Sequence, residues 1–261
     1  MERLDNEQKT GGLTAAALRT WGMLFLLAGV IGKCVIQNSL LGITELTSQA
    51  LLDAMNASQN VMILATLALV CQVLEACAVP IFAFLLVEGF QKTKSLKNYM
   101  LRVAGVAALS EIPFNLAVGG SLFVTDSRNP VFGILVCQVV LYLYRHYSGK
   151  DAGKIAVKAV VAVAAAFWCR MLKIEHGAFL VLLTSALWFM RDRPKFRVFV
   201  GCIAAVLGSL FSLLNLAAPM SFLAIHYYNG EKGEENRYVT YLCYPALLIA
   251  VYGVTLLTKF A

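Results

Sequence analysis

Apolar runs of about 20 residues recur along the whole chain, each long enough to cross a ~30 Å hydrocarbon core as a helix. Lipid offers no water to bond the backbone N–H and C=O groups, so such segments satisfy them internally. The expected fold class is therefore all-α: a polytopic transmembrane helical bundle. Of the 261 residues, 59% are hydrophobic and only 14% are charged, with a mean hydropathy of +0.72. A soluble domain carries about 25% charged residues. Nine spans are expected, near 15–36, 61–88, 99–118, 131–147, 155–173, 177–190, 196–213, 216–228 and 239–258. The sixth and eighth are short, which leaves a count of eight to ten. Pro80, inside the long second span, predicts a kink or a broken helix. No extended polar block remains for a soluble domain, so the organisation expected is an N-terminal tail, 1–14, and a single transmembrane domain, 15–261. The opening MERLDNEQKTGG is unlike a cleavable signal peptide.

Lysine and arginine set the orientation. Alternate loops gather Lys92, Lys94, Lys97 and Arg102, then Arg145, Lys150, Lys154 and Lys158, then Arg191, Arg193, Lys195 and Arg197, then Lys232 and Arg237. The N-terminal segment adds Arg3, Lys9 and Arg19, whereas the other side holds only Lys33, Arg128, Arg170, Lys173 and Lys259. This asymmetry predicts a cytoplasmic N-terminus and, with nine spans, an external C-terminus. The net charge of +7 is thus spent on topology and does not point to nucleic acid. Segment 39–60 reads as an amphipathic helix at the outer interface. Its Asn56-Ala57-Ser58 matches a glycosylation sequon, a triplet common by chance. The seven cysteines lie in or beside apolar runs with no CxxC pair, so they read as small buried side chains and no metal site is expected.

An ionisable group at bilayer depth costs at least about 2.5–3 kcal/mol on insertion scales, so it faces a partner or a cavity. Glu75 lies in the second span and reads as structural. Glu111 and Asn115, in LSEIPFNL, are four apart and share a helix face, with Pro113 between them freeing a carbonyl. They read either as the wall of a polar cavity, with Glu111 catalytic and Asn115 on the substrate, or as a hydrogen-bonded knot between helices. In WCRMLKIEHG, His176 beside Glu175 is a candidate oriented imidazole, with Glu175 a candidate substrate contact. His226 reads as an interface side chain and His146 as a solvated loop residue. The basic loops are either topology signals or a docking surface for a phosphorylated, anionic cofactor.

PIFAFLLVEGF, KTKSLKNYMLR, LSEIPFNLA, IEHGAF, YYNGEKG and YLCYP follow one another along the chain. In order and spacing, from about residue 18 to 255, they resemble the TraX family, named for the F-pilin acetylation protein. TraX is similar to a wider superfamily of integral-membrane acyltransferases, which take an acyl group from acyl-coenzyme A at the cytoplasmic face and pass it to an acceptor. The resemblance implies a multi-pass protein of the bacterial inner membrane. Acetyl-CoA or another acyl-CoA would be the donor, without a metal, and a pilin N-terminus or another membrane-associated acceptor the partner beside the lipid bilayer. It further implies that Lys92 and Arg102 meet coenzyme A phosphates and that Arg19 is the superfamily's basic residue at the start of the first span. Glu88, of the Glu-Gly pair, would orient a lysine or accept from a loop backbone. Tyr228, Asn229 and Gly230 match a cytoplasmic turn.

The sequence also departs from the family. Gly29 and Val30 stand where the resemblance leads one to expect Asp and His, although Ile31 and Gly32 match. Leu247 stands in place of a second histidine, Ala76 in place of an arginine, and Glu175-His176-Gly177 in place of Asp-Tyr-Gly. Acyl transfer needs a base with a pKa near neutral, and losing one removes about 10²–10⁴-fold in rate. Val30 cannot serve, so Glu111 and His176 are the named replacements. The missing histidine would lie roughly 17 Å along the span from Arg19, at 1.5 Å per residue. The sequence thus supports an acetyltransferase of TraX type or a catalytically degenerate relative acting as a membrane scaffold or binding protein. A transporter ranks last, because no internal repeat is apparent.

Overall fold

The computed structural model describes residues 12–42, 48–149, 151–234 and 237–259. Among them the chain is all-α, with no strand and two isolated bridges, Leu13 with Tyr228 and Arg128 with Ile174. Helix α1 (Ala15–Val30) continues directly into a π-helical stretch, Ile31–Leu40. Then come α2 (Ser48–Ala57), α3 (Gln59–Lys92), α4 (Leu96–Gly119), α5 (Val131–His146), α6 (Ala152–Met171), α7 (Gly177–Phe189) and α8 (Pro194–Leu207). Two 3₁₀ segments, Gly208–Leu210 and Leu213–Met220, lead into the short α9 (Ser221–His226), and α10 (Arg237–Lys259) closes the chain. Tail residues 1–11, with Arg3 and Lys9, lie outside the described residues, as do 43–47 of the expected interfacial helix, Lys150, and the side chains of Lys195, Arg237 and Lys259.

Among the described residues, five helices are long and apolar enough to cross a membrane: Ala15–Leu40, Gln59–Lys92, Leu96–Gly119, Ala152–Met171 and Tyr241–Thr258. Four shorter apolar segments lie between them, at Val131–His146, Gly177–Phe189, Phe196–Leu210 and Leu213–His226. Helix α7 is apolar all round and buried along nearly its whole length, the pattern of a central core helix. Helix α6 does the opposite and turns Val160, Val163 and Phe167 outward, which suits a lipid-facing surface.

Of the kink or break expected at Pro80, the break does not occur: α3 is one helix of 34 residues. A proline removes one N–H and crowds the carbonyl four residues back. Here residues Ala76 to Ile81 and Ala83 to Val87 are all buried, so surrounding helices hold the line that proline alone would interrupt. The core forms two clusters. The larger gathers the second half of α3 with α5, α7 and α9, including Phe84, Phe90, Leu141, Phe179 and Phe222. The smaller joins α1, α4 and α10 through Val30, Cys34, Phe114, Tyr244 and Leu248.

Helix α1 packs antiparallel on α3 through small residues, the usual device where lipid supplies no hydrophobic drive. A Cβ on Gly32 would come within 2.6 Å of Cys71 Cβ, and one on Gly29 would overlap Glu75. At one end, Thr14 caps α1 by accepting from the Ala17 N–H at 3.2 Å. The N–H groups of Ala15 and Ala16 donate to the Glu231 and Lys232 carbonyls at 2.9 and 3.0 Å, so the loop before α10 folds over the start of α1. At the opposite end, the Arg128 N–H donates to the Lys173 carbonyl at 2.9 Å and the Glu175 N–H to the Arg128 carbonyl at 3.1 Å. That exchange pins the α6–α7 turn to the α4–α5 connection.

Candidate functional site

A cavity of about 830 Å³ lies among α1, α3, α4, α5, α7 and α10, within the ~300–1,000 Å³ range of sites that enclose a small organic ligand. Along α3 its wall runs from Ala78 to Lys92, about 20 Å at 1.5 Å per residue. The middle of the wall is apolar, from side chains such as Leu26, Val79, Phe82, Leu85 and Val106. The two ends are polar, one cationic and one of mixed charge.

One end is cationic, lined by Arg19, Lys92, Lys94, Arg102 and Lys232. The folds of the 12–16 and 227–232 segments onto each other bring Arg19 and Lys232 to the same rim. Lys92 Nζ lies 3.0 Å from Glu88 Oε2 and donates to Tyr228 Oη at 3.1 Å and to the Gly230 carbonyl at 2.8 Å. The contacts to Tyr228 and Gly230 fasten α3 to the 227–232 loop, while Glu88 steadies the ammonium from within α3, and Gly230 takes a φ of 85° that suits glycine. Arg102 Nε donates to Tyr241 Oη at 3.1 Å. Glu88 also accepts from Arg197 Nη1 at 2.8 Å, and the Arg197 guanidinium lies 4.7 Å over the Phe84 ring. The Glu88 and Arg197 side chains are only 12% and 13% exposed, so this buried pair locks α8 to α3.

The other end holds a mixed cluster. His176 Nε2 is 3.2 Å from Glu75 Oε1 on α3. Glu175 is ion-paired with Lys33 and accepts from Ser127 Oγ at 2.7 Å. Lys33 is carried by the π-helical stretch, a rare geometry that is frequent at functional sites. Lys173 and His176 both take a φ of 54° within one short turn. Left-handed backbone at a non-glycine residue costs on the order of 1–3 kcal/mol and persists only where surrounding structure enforces it. The paired Arg128 and Glu175 backbones enforce it here. His176 sits in the turn between α6 and α7. Burial pushes its imidazole towards the neutral form, but the Glu75 hydrogen bond and the Glu75 and Glu175 charges outweigh burial and hold its pKa above the ordinary 6.5. With Nε2–H given to Glu75, Nδ1 is left as the proton-accepting nitrogen.

A family model described as TraX protein matches residues 49–255. The chain belongs to the TraX family. Searches of curated proteins and of solved structures return no match. Of the residues singled out from the TraX resemblance and the intramembrane charges, Arg19, Glu88, Lys92, Arg102, Glu175 and His176 all line the one cavity. Glu111 and Asn115 are not among its lining residues. Glu111 Oε1 lies 3.9 Å from Arg128 Nη1, and its buried Oε2 has no partner among the described residues. Asn115 Nδ2 donates to the Leu122 carbonyl at 3.0 Å and so closes the turn that ends α4. His146 and His226 are exposed, each edge-on to the tyrosine that follows it.

The positions of Val30 and Leu247, far apart in sequence, face one small cavity of about 10 Å³ with Met23, Leu26, Tyr244 and Leu248. That is about the least room a single water requires, and its lining is almost wholly apolar. The two positions where the TraX resemblance leads one to expect histidine thus meet in space, and both are apolar here. Sequence reasoning missed three members of the site: Glu75, read as structural; Lys33, read as a topology signal; and Tyr244, not singled out. The one usable signal was Gly29, where the resemblance called for a carboxylate: its missing side chain makes room for Glu75.

Proposed function

We propose that this TraX-family membrane protein transfers an acyl group, acetyl in the first instance, from acyl-coenzyme A to an amine or hydroxyl acceptor such as a pilin N-terminus, with His176 as the base. In this reading the chain crosses the bacterial inner membrane nine times. The N-terminus and the cationic rim face the cytoplasm, where acyl-CoA is made. The observation that carries the proposal is that a single cavity connects a rim of five cationic side chains with a histidine held by a carboxylate. Cations at the rim suit the phosphates of the donor, and the apolar middle suits an uncharged pantetheine arm and its thioester. The rim keeps its positive sign because Glu88, the carboxylate among its described lining residues, is shared by Arg197 and Lys92.

His176 removes the proton from the acceptor as its nitrogen or oxygen attacks the thioester carbonyl. The carbon–sulfur bond breaks, and the proton held by His176 leaves with the thiolate as the free thiol. Glu75 fixes the ring and stabilises the imidazolium formed on the way. Replacing such a base lowers rate by about 10²–10⁴-fold.

The test uses purified protein in detergent with labelled acetyl-CoA and a peptide bearing a free N-terminal amine. Label transfer that falls by at least about 10²-fold in His176→Gln supports the assignment, whereas transfer undiminished in that variant refutes it. A second reading, a catalytically degenerate TraX relative acting as a membrane scaffold or binding protein, is favoured by one observation, the apolar cavity shared by Val30 and Leu247. That reading expects no transfer by the natural chain. It expects transfer to appear when Gly29→Asp and Val30→His are combined with Glu75→Gly to clear the space.

A further inference from the structure

We infer that Tyr244 is a catalytic residue of this site, its hydroxyl donating a hydrogen bond to the thioester carbonyl oxygen as negative charge develops there. The inference rests on the acyl-transfer reading and adds to it the group that stabilises the oxyanion. Tyr244 lines the same cavity as Glu175 and His176, yet it is only 5% exposed. Its buried hydroxyl has no hydrogen-bond partner among the described residues. Buried tyrosine hydroxyls are nearly always bonded, so a solitary one at a cavity wall calls for an explanation.

The surroundings narrow that explanation. Behind the ring, the small cavity of Val30, Leu247 and Leu248 offers no polar group to the hydroxyl. Tyr244 also lines the main cavity, which holds the His176 imidazole, so a ligand there is the partner the hydroxyl could meet. A neutral donor in a water-poor, low-dielectric wall suits a charge that exists only in transit. A fixed cation there would be neutralised by Glu75 and Glu175, and a carboxylate would repel the oxyanion. Tyrosine meets the need without adding charge to a cluster that already balances two carboxylates against Lys33 and His176.

In the step itself, the acceptor attacks the carbonyl carbon and its proton passes to His176. The carbonyl oxygen gains the electron pair of the C=O bond and is held by the Tyr244 O–H, which keeps its own proton. The pair returns as the carbon–sulfur bond breaks, and His176 gives its proton to the departing sulfur. Atoms and charge balance with acyl-CoA and acceptor alone.

The experiment measures the carbonyl stretch of acetyl-CoA bound to the full-length protein in detergent, isolated by the difference between ¹²C and ¹³C thioester. Binding is followed separately with radiolabelled acetyl-CoA. The expected result is a band at lower wavenumber than in solution, returned towards the solution value in Tyr244→Phe without loss of binding. Replacing Tyr244 by 3-fluorotyrosine, a stronger donor, moves the band lower still and guards against a variant that merely misfolds. With turnover, Tyr244→Phe lowers kcat by about 10²–10³-fold at little change in KM. If acetyl-CoA binds and the band is the same in wild type and Tyr244→Phe, the Tyr244 assignment falls while the donor site stands. If wild type does not bind acetyl-CoA, the acyl-transfer reading and this inference fall together.

Discussion

Gly29→Ala tests the packing on which the site rests, because two effects of known size oppose each other. Alanine is the better helix former by about 1 kcal/mol in a helix interior, so an isolated α1 would gain from the change. Against α3 the added methyl lands inside 3.0 Å of three atoms of Glu75, including its Cβ. The carboxylate can rotate away from a clash, but a Cβ moves only with its backbone. Helices α1 and α3 must therefore separate, at the ~1–3 kcal/mol typical of overpacking. The displaced carboxylate also loses His176, and a hydrogen bond to a charged group is worth about 1.5–3 kcal/mol. The balance is a net destabilisation of about 2–4 kcal/mol from a substitution that hydropathy and propensity both favour.

Equilibrium unfolding in mixed micelles of wild type, Gly29→Ala, Glu75→Gly and the double variant isolates the contact. Glu75→Gly removes the obstructing Cβ, so the double variant recovers part of the loss, with a coupling of about 1.5 kcal/mol or more. A Gly29→Ala protein that is more stable than wild type, with the two changes adding to within about 0.5 kcal/mol, refutes the close contact and the Glu75 placement that depends on it.

Glu88→Gln leaves Arg197 buried without its counter-charge and should cost about 3–5 kcal/mol of stability in the same assay; a loss below about 1 kcal/mol would mean the pair is solvated. The transfer rate should rise with pH through the His176 pKa, because the base works only when deprotonated, and the midpoint lies above 6.5. Glu75→Gln removes one of the facing charges, leaving Glu175 and Lys33, and should move that midpoint down; an unmoved midpoint removes Glu75 from the dyad. Reporter tags in the 91–98 and 191–197 segments should be accessible from the same side of the membrane, and opposite sides would dismantle the cationic rim.

The sequence made the helical bundle and its cationic end legible because both are written locally, in runs of apolar residues and clusters of lysine and arginine. The five membrane-length helices and four shorter apolar segments lie where the apolar runs do. Clusters of basic residues beside spans are conspicuous, but it was the TraX resemblance that singled out Arg19, Lys92 and Arg102 among them. The deep end was less legible, since its members come from four places in the chain. Lys33 and Glu175 are 142 residues apart, and Glu75 and His176 are 101 apart. Glu175 appeared to be the natural orienting partner for His176, its neighbour in sequence. In the fold Glu175 is taken by Lys33 and Ser127, and the more distant Glu75 holds the ring. Glu111 and Asn115 were left between a cavity wall and a hydrogen-bonded knot: spacing put them on one side of α4, but only packing decides whether that side meets a cavity or a turn. The π-helical stretch left no mark that composition could reveal.

The departures from the TraX resemblance at position 29 and at positions 30 and 247 each fit the packing around them. Had α1 carried a carboxylate at position 29, it would stand where Glu75 now projects from α3, because both cannot occupy the space between helices this close. Moving the carboxylate from one helix to the other keeps a negative charge at nearly the same point while changing the direction from which it acts. A histidine at position 30 would face the small apolar cavity, and an unpaired imidazole at bilayer depth is costly. Val30 and Leu247 remove that cost together, since they share one small cavity and either histidine alone would sit against an apolar wall. Glu75 itself needs a partner at that depth, and His176 provides it from the α6–α7 turn, held in a strained backbone conformation by the Arg128 bridge. A buried acid, a left-handed histidine and an unbonded tyrosine hydroxyl are each unfavourable alone. The proposed acyl transfer would give all three a common use, and the His176→Gln and Tyr244→Phe variants decide whether it does.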